Sequence, residues 1–186
     1  HIEGDEVPEC PDTFRIGDTY YLMFSFGGVA RYRYAKDPLG PWLTPEQDIL
    51  DGPAARVMKT AAFGPDRRIG TTGVWPHGYA GYAVFREIIA RPDGTLGTAW
   101  VPEMVPADRG PLAAATSLAA GERIQGLPGR FLLQAVADGP VALRLAGQEL
   151  ALGCEPARVA LSAGPAIERV QGLDGRYAFE VIVHDQ

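Results

Sequence analysis

The stretch Glu9-Cys10-Pro11-Asp12-Thr13-Phe14-Arg15-Ile16-Gly17-Asp18-Thr19-Tyr20-Tyr21-Leu22-Met23-Phe24-Ser25 decides how this chain is read. Thr13 to Ile16 and Thr19 to Ser25 are apolar and aromatic runs, and the two-residue Gly17-Asp18 connection between them is a hairpin signal. Glu9 to Asp12 therefore stands at the start of a strand. Further along, Arg31-Tyr32-Arg33-Tyr34 alternates basic and aromatic residues. A period of two sends the arginines to one face and the tyrosines to the other, which predicts a half-buried strand with solvated arginines.

Composition points the same way. The 186 residues include 23 Gly and 16 Pro, and punctuation that frequent favours short strands and turns over long helices, so an all-β fold is expected. A hydrophobic content of 46% is ample for a core. The net charge of −6 provides no basic field to gather phosphates, so nucleic acid is not expected as a partner. No apolar run approaches ~18 residues, and no membrane-spanning segment is expected.

Residues that carry chemistry elsewhere are isolated here. His77 and His184 lack Cys, His or carboxylate partners at ligand spacing, so neither is proposed as a metal ligand, and no cofactor is expected. Ser117 and Ser162 lack the Gly-x-Ser-x-Gly context of a nucleophile elbow. Cys10 and Cys154 lie in distant segments and are expected as free thiols.

The turn-rich and then small-residue stretch Pro106 to Ala115 is the expected domain boundary. Beyond it, Val141, Leu143 and Leu145 alternate with Ala142, Arg144 and Ala146, and the alternation resumes at Leu150 and Leu152. After the turn Leu173-Asp174-Gly175-Arg176, Tyr177, Phe179, Val181 and Val183 alternate in the same way. These read as antiparallel strands with one buried face.

Glu9-Cys10-Pro11-Asp12 resembles the acid/base motif of glycoside hydrolase family 32, the β-fructosidases. Lys59-Thr60-Ala61-Ala62-Phe63, the turn Gly64-Pro65-Asp66-Arg67-Arg68 and the strand ending in Gly73-Val74-Trp75 follow in the order that family requires. Phe85-Arg86-Glu87-Ile88, Pro92-Asp93-Gly94 and Val101-Pro102-Glu103-Met104 resemble the stretch that closes its catalytic domain, with Phe85 where Pro is usual. The resemblance implies that residues 1–105 are the second half of a five-bladed β-propeller and residues 106–186 part of a C-terminal β-sandwich. It also implies that the chain is a piece of a longer protein. The family's Asp nucleophile and stabilising Asp precede the Glu-Cys motif, and Asp37-Pro38, which follows it, reads as part of the turn Lys36 to Pro41.

What the resemblance implies chemically is retaining cleavage of β-fructofuranosides such as sucrose, levan or inulin. Glu9 is then the acid/base, and Asp12, Lys59 and Trp75 are substrate-site residues. Retention needs two carboxyl groups roughly 5 Å apart, one attacking the anomeric carbon and the other exchanging protons. Pro11 is expected to push Cys10 toward extended backbone and so to stiffen the mount of Glu9. Plainer readings stand beside each role. Asp12 also reads as a strand-start cap, Lys59 as an exposed lysine, Trp75 as packing, and Asp5 and Glu6 as solvated loop acids. The arginine and tyrosine strand also reads as a sugar-stacking face. The competing functions are a non-catalytic carbohydrate-binding propeller and another five-bladed propeller glycosidase, arabinanase-like. Phosphorolysis would need basic phosphate ligands, and Arg67-Arg68 reads more plainly as a turn. One carboxylate cannot supply both chemical steps, so residues 1–186 alone are expected to be inactive.

Overall fold

The computed structural model describes residues 7–52, 55–74, 82–104, 119–145, 148–154, 157–161, 167–168 and 176–183. Among them every regular element but one is a strand, the exception being a single 3-10 turn at Pro102–Met104, so the chain is all-β as expected. Among the described residues no helix is long and apolar enough to cross a membrane. Two compact units divide the chain, His1–Val101 and Pro102–Gln186.

The first unit opens with a meander of β1 (Glu9–Ile16), β2 (Thr19–Phe26) and β3 (Val29–Ala35). Gly17 takes φ 56° at the turn joining β1 to β2, a conformation that costs a residue without Cβ nothing. The alternation predicted for β3 places Tyr32 in the core at 1% exposure. Its arginines are not free in solvent. Arg31 and Arg33 both bond Asp48, at 2.5 and 2.6 Å, and Arg33 also lies over the Phe24 ring.

Asp48 belongs to a segment that runs beside the outer edge of β3 without forming a regular strand. Tyr34 and Leu43 exchange both backbone bonds, Tyr32 N donates to Asp48 O, and Leu50 N donates to Ala30 O. A three-stranded sheet thus gains a partial fourth member, and its exposed edge groups are satisfied.

The second sheet of this unit is a meander of β4 (Ala55–Ala62), β5 (Arg68–Val74), β6 (Tyr82–Ala90) and β7 (Leu96–Trp100). It packs on the first through Phe14, Tyr21, Met23, Ala30, Tyr32, Leu50, Met58, Ile88 and Leu96. Burial of each large apolar side chain contributes about 1.5–3 kcal/mol, and four of them, Tyr21, Tyr32, Met23 and Met58, are below 2% exposed. Gly70 on β5 is sized by this packing. A Cβ there would stand 2.9 Å from Met58 Sδ and 3.1 Å from Ile88 Cδ1.

In the second unit, β9 (Val141–Leu145), β10 (Gln148–Cys154), β11 (Ala157–Leu161) and β12 (Ile167–Glu168) form one antiparallel sheet, and β8 (Phe131–Ala137) pairs with β13 (Tyr177–Val183) in another. Buried Leu150 and Leu152 meet Val141, Leu143 and Val159 of their own sheet and Ala137, Phe179 and Val181 of the pair. The two sheets therefore share one core, built from the positions whose alternation the sequence displays.

Candidate active site

Glu9 is the first residue of β1 and pairs with Ser25 of β2, after which the register shifts before Asp12 meets Met23. This β-bulge overturns one expectation. Cys10 is not extended but has φ 51°, in the left-handed region. The pre-proline preference for extended backbone is a local steric bias, and the bulge's geometry together with its cross-sheet bonds outweighs it.

Those bonds come from β4. Lys59 Nζ donates to Cys10 O at 2.8 Å and to Pro11 O at 2.9 Å. The neighbouring Thr60 donates to Asp12 Oδ2 twice, from its backbone N at 2.8 Å and its Oγ1 at 2.6 Å. The Thr60 hydroxyl also accepts from Arg68 Nε at 2.7 Å. Burial lowers the Arg68 pKa from its ordinary value, opposed by the nearby Asp12 charge, and its guanidinium lies 4.1 Å from the Phe14 ring centroid. Phe14 in turn stacks on Tyr21 at 5.5 Å.

Three of the residues singled out in the sequence, Glu9, Asp12 and Lys59, are thus drawn together at one bulge. Glu9 is exposed, and its carboxylate has no hydrogen-bond partner among the described residues. Cys10 is an exposed free thiol. Asp12 accepts from Thr60 through Oδ2, and Lys59 donates to two backbone carbonyls of β1. Trp75, His77, His184, Asp5, Glu6, Ser117, Ser162, the stretch 106–115 and the turn residues 173–175 lie outside the described residues, as does the side chain of Cys154. No group of three or more His, Cys, Asp or Glu gathers as metal ligands among the described residues.

Thr60 and Arg68 are members that sequence reasoning passed over. Arg67 and Arg68 do not share a turn: Arg68 opens β5, and Arg67 grips Glu87 through two bonds at 3.0 and 2.9 Å. The signal was the hairpin register. Once Gly64-Pro65-Asp66 is taken as the turn, Ala62 faces Arg68, and Thr60 becomes its diagonal neighbour within reach of a long side chain.

A second polar cluster sits on β6 and β7. Asp51 Oδ1 accepts from Arg86 Nε at 3.0 Å and from Thr98 Oγ1 at 2.6 Å. The Arg86 guanidinium lies 4.2 Å from the Trp100 ring centroid. This ties the loop after β3 to the sheet behind the bulge.

No family model matches the chain, and no curated protein matches it. Among solved structures it is similar to a chain described as a glycoside hydrolase, with a TM-score of 0.42 and 12% identity over 100% of this chain and 56% of that one. It is also similar to a protein described as Bacteroides ovatus Xyloglucan PUL GH43B, with a TM-score of 0.41 and 12% identity over 98% of this chain and 54% of that one. The chain spans about half the length of each.

Proposed function

We propose that this chain belongs to a glycoside hydrolase that cleaves β-fructofuranosides with retention, and that Glu9 is its acid/base. The observation that supports this reading is the bulge at Cys10, which holds Glu9 on a mount fixed by Lys59 and by the Asp12 and Thr60 pair. Irregular strand geometry of this kind gathers where a side chain must be aimed. In this reading the meanders β1–β3 and β4–β7 are blades of a five-bladed propeller, residues 106–186 are part of a β-sandwich, and an upstream segment of a longer protein supplies the nucleophile.

The chemistry assigned to Glu9 is proton exchange. In the first step its carboxylic acid gives a proton to the glycosidic oxygen while the nucleophile's carboxylate bonds to the anomeric carbon, the bond from that carbon to the glycosidic oxygen breaks, and the aglycone leaves as an alcohol. In the second its carboxylate takes a proton from water, whose oxygen displaces the nucleophile, restoring both groups. Asp12, bound to Thr60, holds the strand on which Glu9 rides.

The test is Glu9→Ala in the protein that carries this chain, assayed on sucrose, levan, inulin and arabinan and on an aryl fructoside with a good leaving group. General acid catalysis contributes about 10²–10⁴-fold, so turnover of the natural glycosides falls by that order. The aryl fructoside, which needs little protonation to depart, loses much less. Equal turnover of sucrose, levan or inulin by the wild type and the variant refutes the role of Glu9. Turnover confined to arabinan moves the protein to the arabinanase-like alternative.

A further inference from the structure

We infer that Lys59 is a positioning residue for Glu9 rather than a ligand of the sugar; this rests on the acid/base reading of Glu9. In a regular strand successive carbonyls point to opposite sides, toward different neighbours. Here the consecutive carbonyls of Cys10 and Pro11 converge on a single ammonium, at 2.8 and 2.9 Å. The torsions of Pro11 lie between the two carbonyls and set that convergence, while the left-handed Cys10 at φ 51° turns the chain just ahead of them, between Glu9 and the ammonium.

Two carbonyl dipoles aimed at one point repel each other unless a cation sits there. The ammonium therefore holds the bulge in the conformation it has, and the bulge begins at the residue that bears the reacting carboxyl. Two of the three Lys59 N–H groups are committed to this task. The lysine's own strand is distorted to deliver it. The β4 register shifts between Arg56 and Lys59, and Val57 has φ 47°, a value a β-branched residue adopts only under constraint. Distortions on both strands therefore meet at one ammonium.

A sugar ligand and a positioning residue predict different kinetics. Loss of a ligand weakens substrate binding and raises KM. Loss of the clamp misplaces the proton donor, and misplacement of about 1 Å costs on the order of 10²-fold in rate. The experiment compares Lys59→Met, Lys59→Arg and Glu9→Ala in the protein that carries this chain, with sucrose and levan as substrates. In parallel, amide hydrogen exchange is followed in the peptide spanning residues 8–14.

Lys59→Met should lower kcat by about 10²-fold with KM within about twofold. Lys59→Arg, whose fork can also serve two acceptors, should recover most of the loss. Exchange in residues 8–14 should accelerate in Lys59→Met and not in Lys59→Arg, while peptides of β9 and β10 stay unchanged. A raised KM with unchanged kcat overturns the inference, as does unaltered exchange in residues 8–14. If Glu9→Ala abolishes turnover and Lys59→Met does not, the clamp alone fails. If Glu9→Ala leaves turnover intact, the acid/base reading fails, and exchange still reports whether Lys59 holds the bulge.

Discussion

Asp12 offers the sharpest test of how the site is held, because one of its oxygens accepts both Thr60 bonds. Asp12→Ala removes an acceptor that serves a backbone N–H at 2.8 Å and a hydroxyl at 2.6 Å. The hydroxyl can turn elsewhere, but the amide of Thr60 stays where β4 puts it. Hydrogen bonds to charged groups contribute about 1.5–3 kcal/mol, and a stranded donor costs about 1–3 kcal/mol, so a loss of about 2 kcal/mol is expected. At about 4–8 °C per kcal/mol for a unit of this size, Tm should drop by roughly 8–16 °C. Asp12→Asn should be milder. Its single amide oxygen can occupy the Oδ2 position and accept both bonds, and neutral bonds are about half as strong as charge-assisted ones, which leaves a loss of about 1 kcal/mol. Urea unfolding followed by tryptophan fluorescence measures both. Asn as damaging as Ala would refute the one-oxygen geometry, and Ala within about 0.5 kcal/mol of wild type would show that the bonds contribute nothing.

Other perturbations test the core and the edge. Gly70→Ala should cost about 1–3 kcal/mol by overpacking against Met58 and Ile88, and adding Met58→Ala should cost less than the two losses summed, measured by urea unfolding of all three variants. Tyr32→Phe deprives the buried Leu96 N–H of its 3.0 Å acceptor and should cost about 1–3 kcal/mol, more than Tyr21→Phe, whose hydroxyl donates to the part-buried Gly94 O. Burial raises the pKa of both Tyr21 and Tyr32 above 10.0; their stabilisation is therefore complete below pH 10 and is lost above it, where the unfolded phenols ionise and the folded ones resist. Urea midpoints between pH 8 and 11 should fall accordingly, with a shallower slope in Tyr32→Phe. Asp48→Ala removes the carboxylate that Arg31 and Arg33 share and should speed amide exchange at Tyr32 and Leu50, which bond across that edge; unchanged exchange would mean that the backbone bonds hold the segment alone.

The strands of the second unit were legible because one face is wet, as in β9, where the exposed Ala142 and Arg144 alternate with half-buried neighbours. Val141, Leu143 and Leu145 alternate with polar or small residues, and so do the residues around Phe179 and Val181, so period two survives in the text. The hairpin at Gly17-Asp18 was legible because turn chemistry is local. The segment from Leu43 to Leu50 was not, since it satisfies the edge of β3 by scattered bonds from Leu43, Asp48 and Leu50 rather than by a ladder, and no period marks it. Cys10 misled because the pre-proline rule describes a local steric preference, whereas the bulge it sits in is held by residues distant in sequence, Lys59 and Thr60. Thr60 and Arg68 escaped notice because a threonine and an arginine on neighbouring strands announce nothing until the register joins them.

The two non-glycine residues in left-handed backbone at the bulges, Cys10 and Val57, bear on what the site is for. Each costs on the order of 1–3 kcal/mol, and such strain persists only where surrounding structure over-determines it. If the bulge in β1 served the fold alone, a glycine at position 10 would relieve the strain there at little cost to packing, since Cys10 is exposed. The bonds from Lys59 and Thr60 to β1 also run between two sheets already joined by the core of Met23, Met58 and Ile88, so adhesion does not require them. What they fix, and the core does not, is the path of the chain between Glu9 and Asp12. A strained loop held by a cation and a carboxylate, ending on an exposed glutamate that has no hydrogen-bond partner among the described residues, is costly as scaffolding; under the proposed function it is a mount for a proton donor.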